Sequence, residues 1–224
     1  MKSLVDAAGD TFVRHQEARA HGRYLLRVPP GSGPWPLLLG FHGYAENAEV
    51  HLQALSQIPG VERWLVAAVQ ALHPFYNREQ QVVASWMTRE DRDLAIADNL
   101  AYVSRVLDGI REEFPTRAPL VCAGFSQGGA MAYRAAARCG ADAVIVLGAD
   151  VPPDVADQGA SLRRVLIGRG TSDKWYTAEK HAADLAALNG IAVRLDSHIF
   201  DGGHEWTSSF REAAGQLLEE MESA

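Results

Sequence analysis

One stretch constrains the fold of this chain more than any other. Residues 119–132 read PLVCAGFSQGGAMA, a short apolar run typical of a buried β-strand that leads through small residues into an alanine-rich segment typical of a helix. Gly124 and Gly128 stand two positions before and two positions after Ser126. A strand that turns this abruptly into a helix needs almost no side chain at those positions, because the two elements pass close together. The pattern predicts a strand–turn–helix unit with Ser126 at the apex of a strained turn.

The pattern Gly-x-Ser-x-Gly is typical of a nucleophile elbow, which presents a serine hydroxyl at the N-terminus of a helix. Backbone N–H groups and the helix dipole favour a developing negative charge at that position. A glycine-rich turn with an incidental serine is the alternative. The apolar strand before the turn and the helix after it favour the catalytic interpretation, which also requires a base and an orienting acid.

Length and charge exclude several classes of protein. The 224 residues suffice for one ordinary domain with a large core, so we predict a single domain over 1–224. The formal net charge of -7 argues against nucleic acid and anionic membranes as partners, and no apolar stretch is long enough for membrane insertion. The first ten residues lack the apolar core of a signal peptide, which favours the cytoplasm. Cys122 and Cys139 are interpreted as buried small hydrophobes rather than a disulfide.

Alternating apolar runs and amphipathic segments predict an α/β architecture, with a mostly parallel central sheet and helices on both faces. Residues 11–17 and 23–28 are predicted to form an N-terminal β-hairpin at the sheet edge. Residues 70–91 form a long polar and aromatic segment, which we expect to be a wall of the substrate site. Further strands are predicted at 37–41, 61–69, 143–147, 165–167 and 191–198, and helices at 47–57, 92–114, 176–189 and from Trp206 to Met221.

A serine hydroxyl is a poor nucleophile at neutral pH, so Ser126 needs a base within hydrogen-bond reach. With this elbow the chain order is nucleophile, acid, histidine, which leaves three histidines after Ser126. His181 falls inside a predicted helix, and His198 falls inside the last strand, where its side chain should point to a sheet face. His204 follows that strand in a glycine-containing loop, so we predict that His204 is the base.

We predict that Asp173 is the acid that orients His204. An apolar strand at 165–167 leads into a loop that ends at Asp173, and sites in open α/β sheets assemble from loops at the carboxyl ends of strands. The alternative role for Asp173 is to cap the following helix. The rival carboxylates are Asp150, Asp154 and Asp157, one strand earlier, and the less well placed Asp196 and Asp201.

An oxyanion hole needs two backbone N–H donors. Gln127, the residue after the nucleophile, supplies one donor, and we assign the other to Tyr44 in the loop after the predicted strand 37–41. Both donors are backbone groups, so the identities of these two side chains should matter little. His42 in the same loop is interpreted as a packing residue behind the hole.

Four pieces of the sequence together carry a family resemblance: FHG at 41–43, GFSQGG at 124–129, Asp173 and the Gly203-His204 pair. They resemble the phospholipase/carboxylesterase family of α/β-hydrolases, which includes carboxylesterases and acyl-protein thioesterases, over about residues 22–221. The resemblance implies a minimal α/β-hydrolase fold with little or no lid domain. It also implies no metal or organic cofactor, and hydrolysis of carboxylic esters or thioesters.

The chain departs from that family at two places near the acyl-binding side. Residues 42–47 read HGYAEN where the family usually has a small Gly-Asp element, and Met87-Thr88-Arg89 replaces an aromatic–acid pair. Trp86 is placed like a tryptophan of the family's site wall. Four aromatic residues are candidates for lining an apolar acyl pocket, although each could equally be core: Phe75, Tyr76, Trp86 and Trp175.

We therefore expect a serine hydrolase that acts on a small-molecule ester or thioester through an acyl-enzyme on Ser126. A peptidase or a dienelactone-type hydrolase would use the same fold, although the latter usually has a cysteine nucleophile. A non-catalytic binding protein is the alternative from another class. A metal hydrolase is disfavoured, because the sequence has no H-E-x-x-H and no paired cysteines. The sequence leaves the oligomeric state open, with a homodimer among the alternatives.

Overall fold

The computed structural model describes residues 11–157 and 162–223. The predictions made for the first ten residues therefore lie outside the described ranges. Cys122 is buried and Cys139 half-buried, and both are free thiols. No helix within the described ranges is long and apolar enough to cross a membrane.

The elements run in the order β1 (Tyr24–Arg27), β2 (Trp35–Phe41), α1 (Ala48–Leu55), β3 (Leu65–Val69), β4 (His73–Tyr76), β5 (Val82–Ser85), α2 (Arg92–Glu113), β6 (Thr116–Phe125), α3 (Gln127–Cys139), β7 (Ala143–Leu147), α4 (Pro153–Ala156), β8 (Leu162–Gly170), α5 (Ala178–Leu188), β9 (Ala192–Phe200) and α6 (Ser208–Glu222).

The main sheet has seven strands in the order β1-β3-β2-β6-β7-β8-β9. Strand β1 is antiparallel to β3, and all other neighbours are parallel. From β2 the chain moves to β3 on one side, and from β6 it moves through β7, β8 and β9 on the other. Strands β2 and β6 are adjacent, so the strand order reverses between them. Ligand sites of open α/β sheets lie at the carboxyl ends of the strands beside such a reversal.

The core lies on both faces of this sheet, because successive side chains of a strand point to opposite faces. On β2, Leu37, Leu39 and Phe41 belong to one apolar cluster, whereas Leu38 belongs to the other. Helices α2 and α3 contribute side chains to the first cluster, and α1 and α6 contribute to the second. The predicted α/β architecture with helices on both faces is confirmed.

The predicted N-terminal hairpin over 11–28 is wrong. Residues 11–23 form no strand in the structure, and β1 pairs instead with β3, with Tyr24 opposite Val69. The large apolar side chains of the segment, Phe12 and Val13, are 66% and 74% exposed. A strand needs a buried face to be stable, and the large apolar side chains of this segment are not buried.

Two other predicted segments are subdivided in the structure. The predicted strand 61–69 begins as a short 3-10 helix, Val61–Arg63, and only Leu65–Val69 joins the sheet. The long segment 70–91 contains the antiparallel hairpin β4–β5, with Tyr76 opposite Val82. This hairpin lies outside the main sheet and is joined to the turn after β2 by a bridge between Glu46 and Ala84.

Candidate active site

Ser126 lies in the turn between β6 and α3 with φ +51° and ψ -123°. Positive φ is uncommon for a residue other than glycine, and strain of this kind is concentrated at functional sites. A Cβ on Gly124 would collide with the carbonyl oxygen of Gly128, and a Cβ on Gly128 would collide with the backbone of β2. The predicted strained turn is confirmed, and both glycines are required by close backbone contacts.

Gly128→Ala is expected to destabilise the protein by about 3 kcal/mol or more, because its Cβ would overlap the carbonyl oxygens of Phe41 and His42. Backbone atoms of a central strand cannot relieve the overlap by changing rotamer. For a chain of this size the melting temperature should fall by roughly 10 °C. The matched control is Gly109→Ala in α2, where a Cβ has no atom within 4 Å. Equal melting temperatures for Gly128→Ala and wild type would contradict this account.

Asp173 and His204 are brought together by the loops after β8 and β9. The distance between His204 Nδ1 and Asp173 Oδ2 is 2.6 Å, and the Asp173 side chain is 1% exposed. The other carboxylate oxygen accepts the N–H groups of Trp175 at 2.8 Å and Tyr176 at 2.9 Å. Because these bonds fix the carboxylate, Asp173 holds the imidazole from one side. A Cβ on Gly148 would lie 2.8 Å from the imidazole Cε1, so this glycine makes room for the ring.

Ser126 and His204 line one open cavity of about 410 Å³ at the carboxyl ends of the strands. Gln127 and Trp175 also line it. In the described part of the chain the Ser126 hydroxyl makes no hydrogen bond to His204. Bonds of this kind often tighten only when substrate is bound. The cavity therefore presents the hydroxyl and the imidazole to the same ligand.

The predicted oxyanion donors follow the ends of two adjacent strands, β2 and β6. Gln127 is the first residue of α3, and Tyr44 follows β2. Within the described ranges neither backbone N–H donates to a protein acceptor. The preceding Gly43 N–H is different, because it donates to the carboxylate of Glu46 at 2.7 Å. Burial raises the pKa of Glu46 although this bond opposes the shift.

Comparison with known proteins supports a fold-level relationship. No family model matches the chain, and no curated protein matches it. Solved structures do match: a carboxylesterase from Bacillus cereus is 16% identical with a TM-score of 0.70, covering 89% of this chain and 94% of that one. Zea mays acyl-protein thioesterase 2 is 16% identical with a TM-score of 0.68, covering 89% and 99%.

A phospholipase/carboxylesterase from Dyadobacter fermentans is 16% identical with a TM-score of 0.67, covering 89% of this chain and 97% of that one. These chains share the arrangement of strands and helices almost from end to end. This chain has the α/β-hydrolase fold. In that fold the elbow serine follows a central strand and the histidine follows the last one, as Ser126 and His204 do here.

The side chain of Gln127 has a structural role in this α/β-hydrolase fold that the sequence did not indicate. Its Oε1 accepts the Trp86 N–H at 2.9 Å, and its Nε2 donates to the Met87 carbonyl at 2.9 Å. The Ser85 hydroxyl donates to the same Met87 carbonyl at 2.9 Å and lies 3.3 Å from Oε1. The expectation that this side chain matters little is therefore wrong, because it attaches the end of the 70–91 segment to the elbow.

Three of the four aromatic residues predicted to line the pocket lie elsewhere. Trp86 is fully buried, and its Nε1 donates to the His42 carbonyl at 2.8 Å, so the tryptophan supports the wall from behind. Phe75 packs against the Tyr44 ring at 5.7 Å, and Tyr76 is 68% exposed on the same strand. Only Trp175, which is 75% exposed, lines the cavity.

The rival histidines and carboxylates have other partners. His198 contacts Ser209 at 2.8 Å, and His181 contacts Ser197 at 3.1 Å. Among the described residues, none of the rival carboxylates contacts His204. Asp157 is exposed at the end of α4. Asp150 pairs with Lys180, and Asp154 pairs with Arg134. Asp196 pairs with Arg164 and Arg194, and Asp201 accepts a hydrogen bond from the Thr171 hydroxyl.

His42 is a buried packing residue, as predicted. The Ala71 N–H donates to its Nε2 at 3.1 Å, so the proton lies on Nδ1, which donates to the Gly43 carbonyl at 2.7 Å. Burial lowers the pKa of His42 to about 4. The neighbouring His51 is also fully buried, and burial followed by the proximity of His42 lowers its pKa to about 3. Both rings are therefore neutral at pH 7.

These two histidines should make the fold sensitive to acid. Between pH 7 and pH 5 they take up protons in the unfolded chain but not in the folded one, so stability falls as pH falls. Together they should remove about 4 kcal/mol of unfolding free energy over that range, measured by urea denaturation at both pH values. In His51→Gln the loss should be about 2 kcal/mol smaller. An undiminished loss in that variant would refute the assignment.

Proposed function

We propose that this protein is a serine hydrolase that cleaves carboxylic esters or thioesters through an acyl-enzyme on Ser126. One observation carries the proposal: a strained, half-buried serine lines the same cavity as a histidine that a buried carboxylate holds at 2.6 Å. A binding protein requires none of these features in combination. The fold shared with carboxylesterases and thioesterases supports the same reading.

The tautomer of His204 follows from its contact with Asp173. A carboxylate accepts hydrogen bonds, so Nδ1 carries a proton and Nε2 is free to accept one. His204 Nε2 takes the proton of the Ser126 hydroxyl as the oxygen attacks the carbonyl carbon. The carbonyl oxygen becomes an oxyanion, for which the proposed donors are the backbone N–H groups of Tyr44 and Gln127.

Collapse of this intermediate breaks the bond to the leaving group. His204 returns its proton to the departing alkoxide or thiolate, and the acyl group stays on Ser126 as an ester. A water molecule then gives a proton to His204 and attacks the acyl-enzyme. The second tetrahedral intermediate releases the carboxylic acid, and Ser126 regains its proton.

The test is burst-phase kinetics with p-nitrophenyl esters whose acyl chains run from short to long. The proposal predicts a rapid release of one equivalent of p-nitrophenolate per protein, followed by a slower steady rate. The acyl length with the highest kcat/KM then measures how much chain the cavity of about 410 Å³ accepts. Absence of release across the whole series from folded protein would overturn the proposal and favour a peptidase or a binding protein.

A further inference from the structure

The cavity that contains Ser126 has an unusual charge. Three cationic side chains line it, from Arg89, Arg92 and Lys180, and Asp150 is the one lining carboxylate among the described residues. Asp150 is already paired with Lys180, at 3.2 Å between Oδ2 and Nζ. Within the described ranges, Arg89 and Arg92 make no ion pair and no side-chain hydrogen bond. Two guanidinium groups without a hydrogen-bonded carboxylate among the described residues therefore line the same cavity as Ser126.

The arginines at the opposite end of the sheet behave differently. A cavity of about 590 Å³ there is lined by Arg163, Arg164 and Arg194 among others. Each of these three has a carboxylate partner: Arg163 pairs with Asp142 at 2.7 Å, and Arg164 and Arg194 pair with Glu220 at 2.8 and 2.9 Å. The chain has 28 acidic and 21 basic residues, so partners are not scarce.

The nearby carboxylate of Asp154 is also engaged elsewhere. It binds Arg134 through two bonds, to Nε at 2.8 Å and to Nη2 at 2.7 Å. The segment that leads to Arg89 is fixed, because Gln127 binds the Met87 carbonyl and Asn99 Nδ2 donates to the Trp86 carbonyl at 3.0 Å. The backbone preceding Arg89 is thus attached to the elbow, and Arg92 opens the helix that follows.

We propose that the natural substrate is an anionic ester or thioester, whose carboxylate or phosphate group binds Arg89 and Arg92 while Ser126 attacks its carbonyl. This inference rests on the proposed hydrolase function and narrows its substrate class. The planar guanidinium group can form two parallel hydrogen bonds to a carboxylate or to a phosphate. The feature common to both substrate types is therefore an anionic group with delocalised charge, a few bonds from the scissile carbonyl. Trp175 supplies an aromatic surface for the uncharged part of the molecule.

The expectation of an apolar acyl pocket is corrected by the same observations. Of the four predicted aromatic residues only Trp175 lines the cavity, together with Met87, several small residues and the charged side chains of Arg89, Arg92, Asp150 and Lys180. The positive charges of Arg89 and Arg92 should also raise the association rate of anions, and salt should weaken that effect.

The test compares esters of matched shape in a pH-stat. Monoethyl adipate is paired with neutral ethyl heptanoate, and 2-acetoxyethyl phosphate is paired with neutral 2-methoxyethyl acetate. At low ionic strength wild type should hydrolyse each anionic ester with a kcat/KM at least about 10-fold above its neutral partner, and the ratio should shrink as sodium chloride is added. The better of the two anionic esters identifies the carboxylate or the phosphate as the recognised group.

Variants of the two arginines separate recognition from folding. Arg89→Gln and Arg92→Gln should each lower the anionic-to-neutral ratio by about 10-fold, mainly through KM, and Arg92→Lys should keep part of the preference. The control is Arg105→Gln, which removes an exposed arginine of the same helix that lies outside the cavity. A wild-type ratio near one, or a ratio that neither arginine variant changes, would overturn the inference while leaving the hydrolase proposal intact. Failure to hydrolyse all four esters would overturn the inference, and the hydrolase proposal would fall with it only if no p-nitrophenyl ester is cleaved either.

Discussion

Ser126→Ala is expected to lower kcat for ester hydrolysis by about 10⁶-fold while the protein stays folded. The change removes a single oxygen atom, and alanine meets the same backbone strain at φ +51° that serine does. Without the hydroxyl no acyl-enzyme can form. The residual rate would come from direct attack by water, helped by the two N–H donors and by substrate binding.

The measurement is kcat at saturating p-nitrophenyl ester, with circular dichroism and the melting temperature as checks on folding. Ser104→Ala is the matched control, because its hydroxyl donates to the Leu100 carbonyl, accepts from Arg138 Nε at 3.4 Å and lies outside the cavity. That control should retain wild-type kcat. A Ser126→Ala protein with kcat within 10-fold of wild type would show that another residue carries the reaction.

Asp173→Asn is expected to lower kcat by about 10⁴-fold with little change in stability. In wild type the N–H groups of Trp175 and Tyr176 bind Oδ1, and His204 binds Oδ2. The two backbone donors determine how an asparagine sits, because only its amide oxygen can accept from them. Its NH₂ group must then face His204 Nδ1.

That orientation reverses the roles of the imidazole nitrogens. An NH₂ group donates, so Nδ1 must accept and the proton moves to Nε2, which can then no longer take the proton of Ser126. The effect should appear in kcat more than in KM, since substrate still binds. The control is Asp201→Asn, an exposed carboxylate in the loop after β9. An Asp173→Asn variant with more than a tenth of wild-type kcat would contradict the assignment of Asp173.

The parts of the site that could be predicted depend on local sequence and on topology. The glycines around Ser126 are dictated by backbone contacts within one strand–turn–helix unit, and such contacts appear as a short pattern. Asp173 and His204 were predicted because loops after parallel strands meet at one edge of the sheet. The two loops lie side by side because strands β8 and β9 are adjacent and parallel.

The parts that could not be predicted depend on contacts between distant segments. Trp86 has the residue type of a pocket wall, but its burial is decided by Phe41 and His42, more than forty positions earlier in the chain. The role of the Gln127 side chain depends on where residues 85–87 come to lie. No pattern of spacing contains that information.

The cationic cavity is an intermediate case. The sequence showed that Met87-Thr88-Arg89 departs from the family pattern on the acyl-binding side, but it did not show that Arg92 and Lys180 line the same cavity as Arg89. Nor could it show which arginines have partners, since the pairs at the other end of the sheet join residues far apart in sequence. Charge pairing is a property of the folded surface.

Covalent labelling with a fluorophosphonate ester, followed by intact-mass and peptide mass spectrometry, tests the central claim most directly. The reagent phosphonylates an activated serine with loss of fluoride and mimics the tetrahedral intermediate. The account predicts one adduct per molecule, located on Ser126, with loss of esterase activity in step with labelling and no adduct in Ser126→Ala. An adduct on a different residue, or full ester hydrolysis by protein that takes up no label, would contradict it.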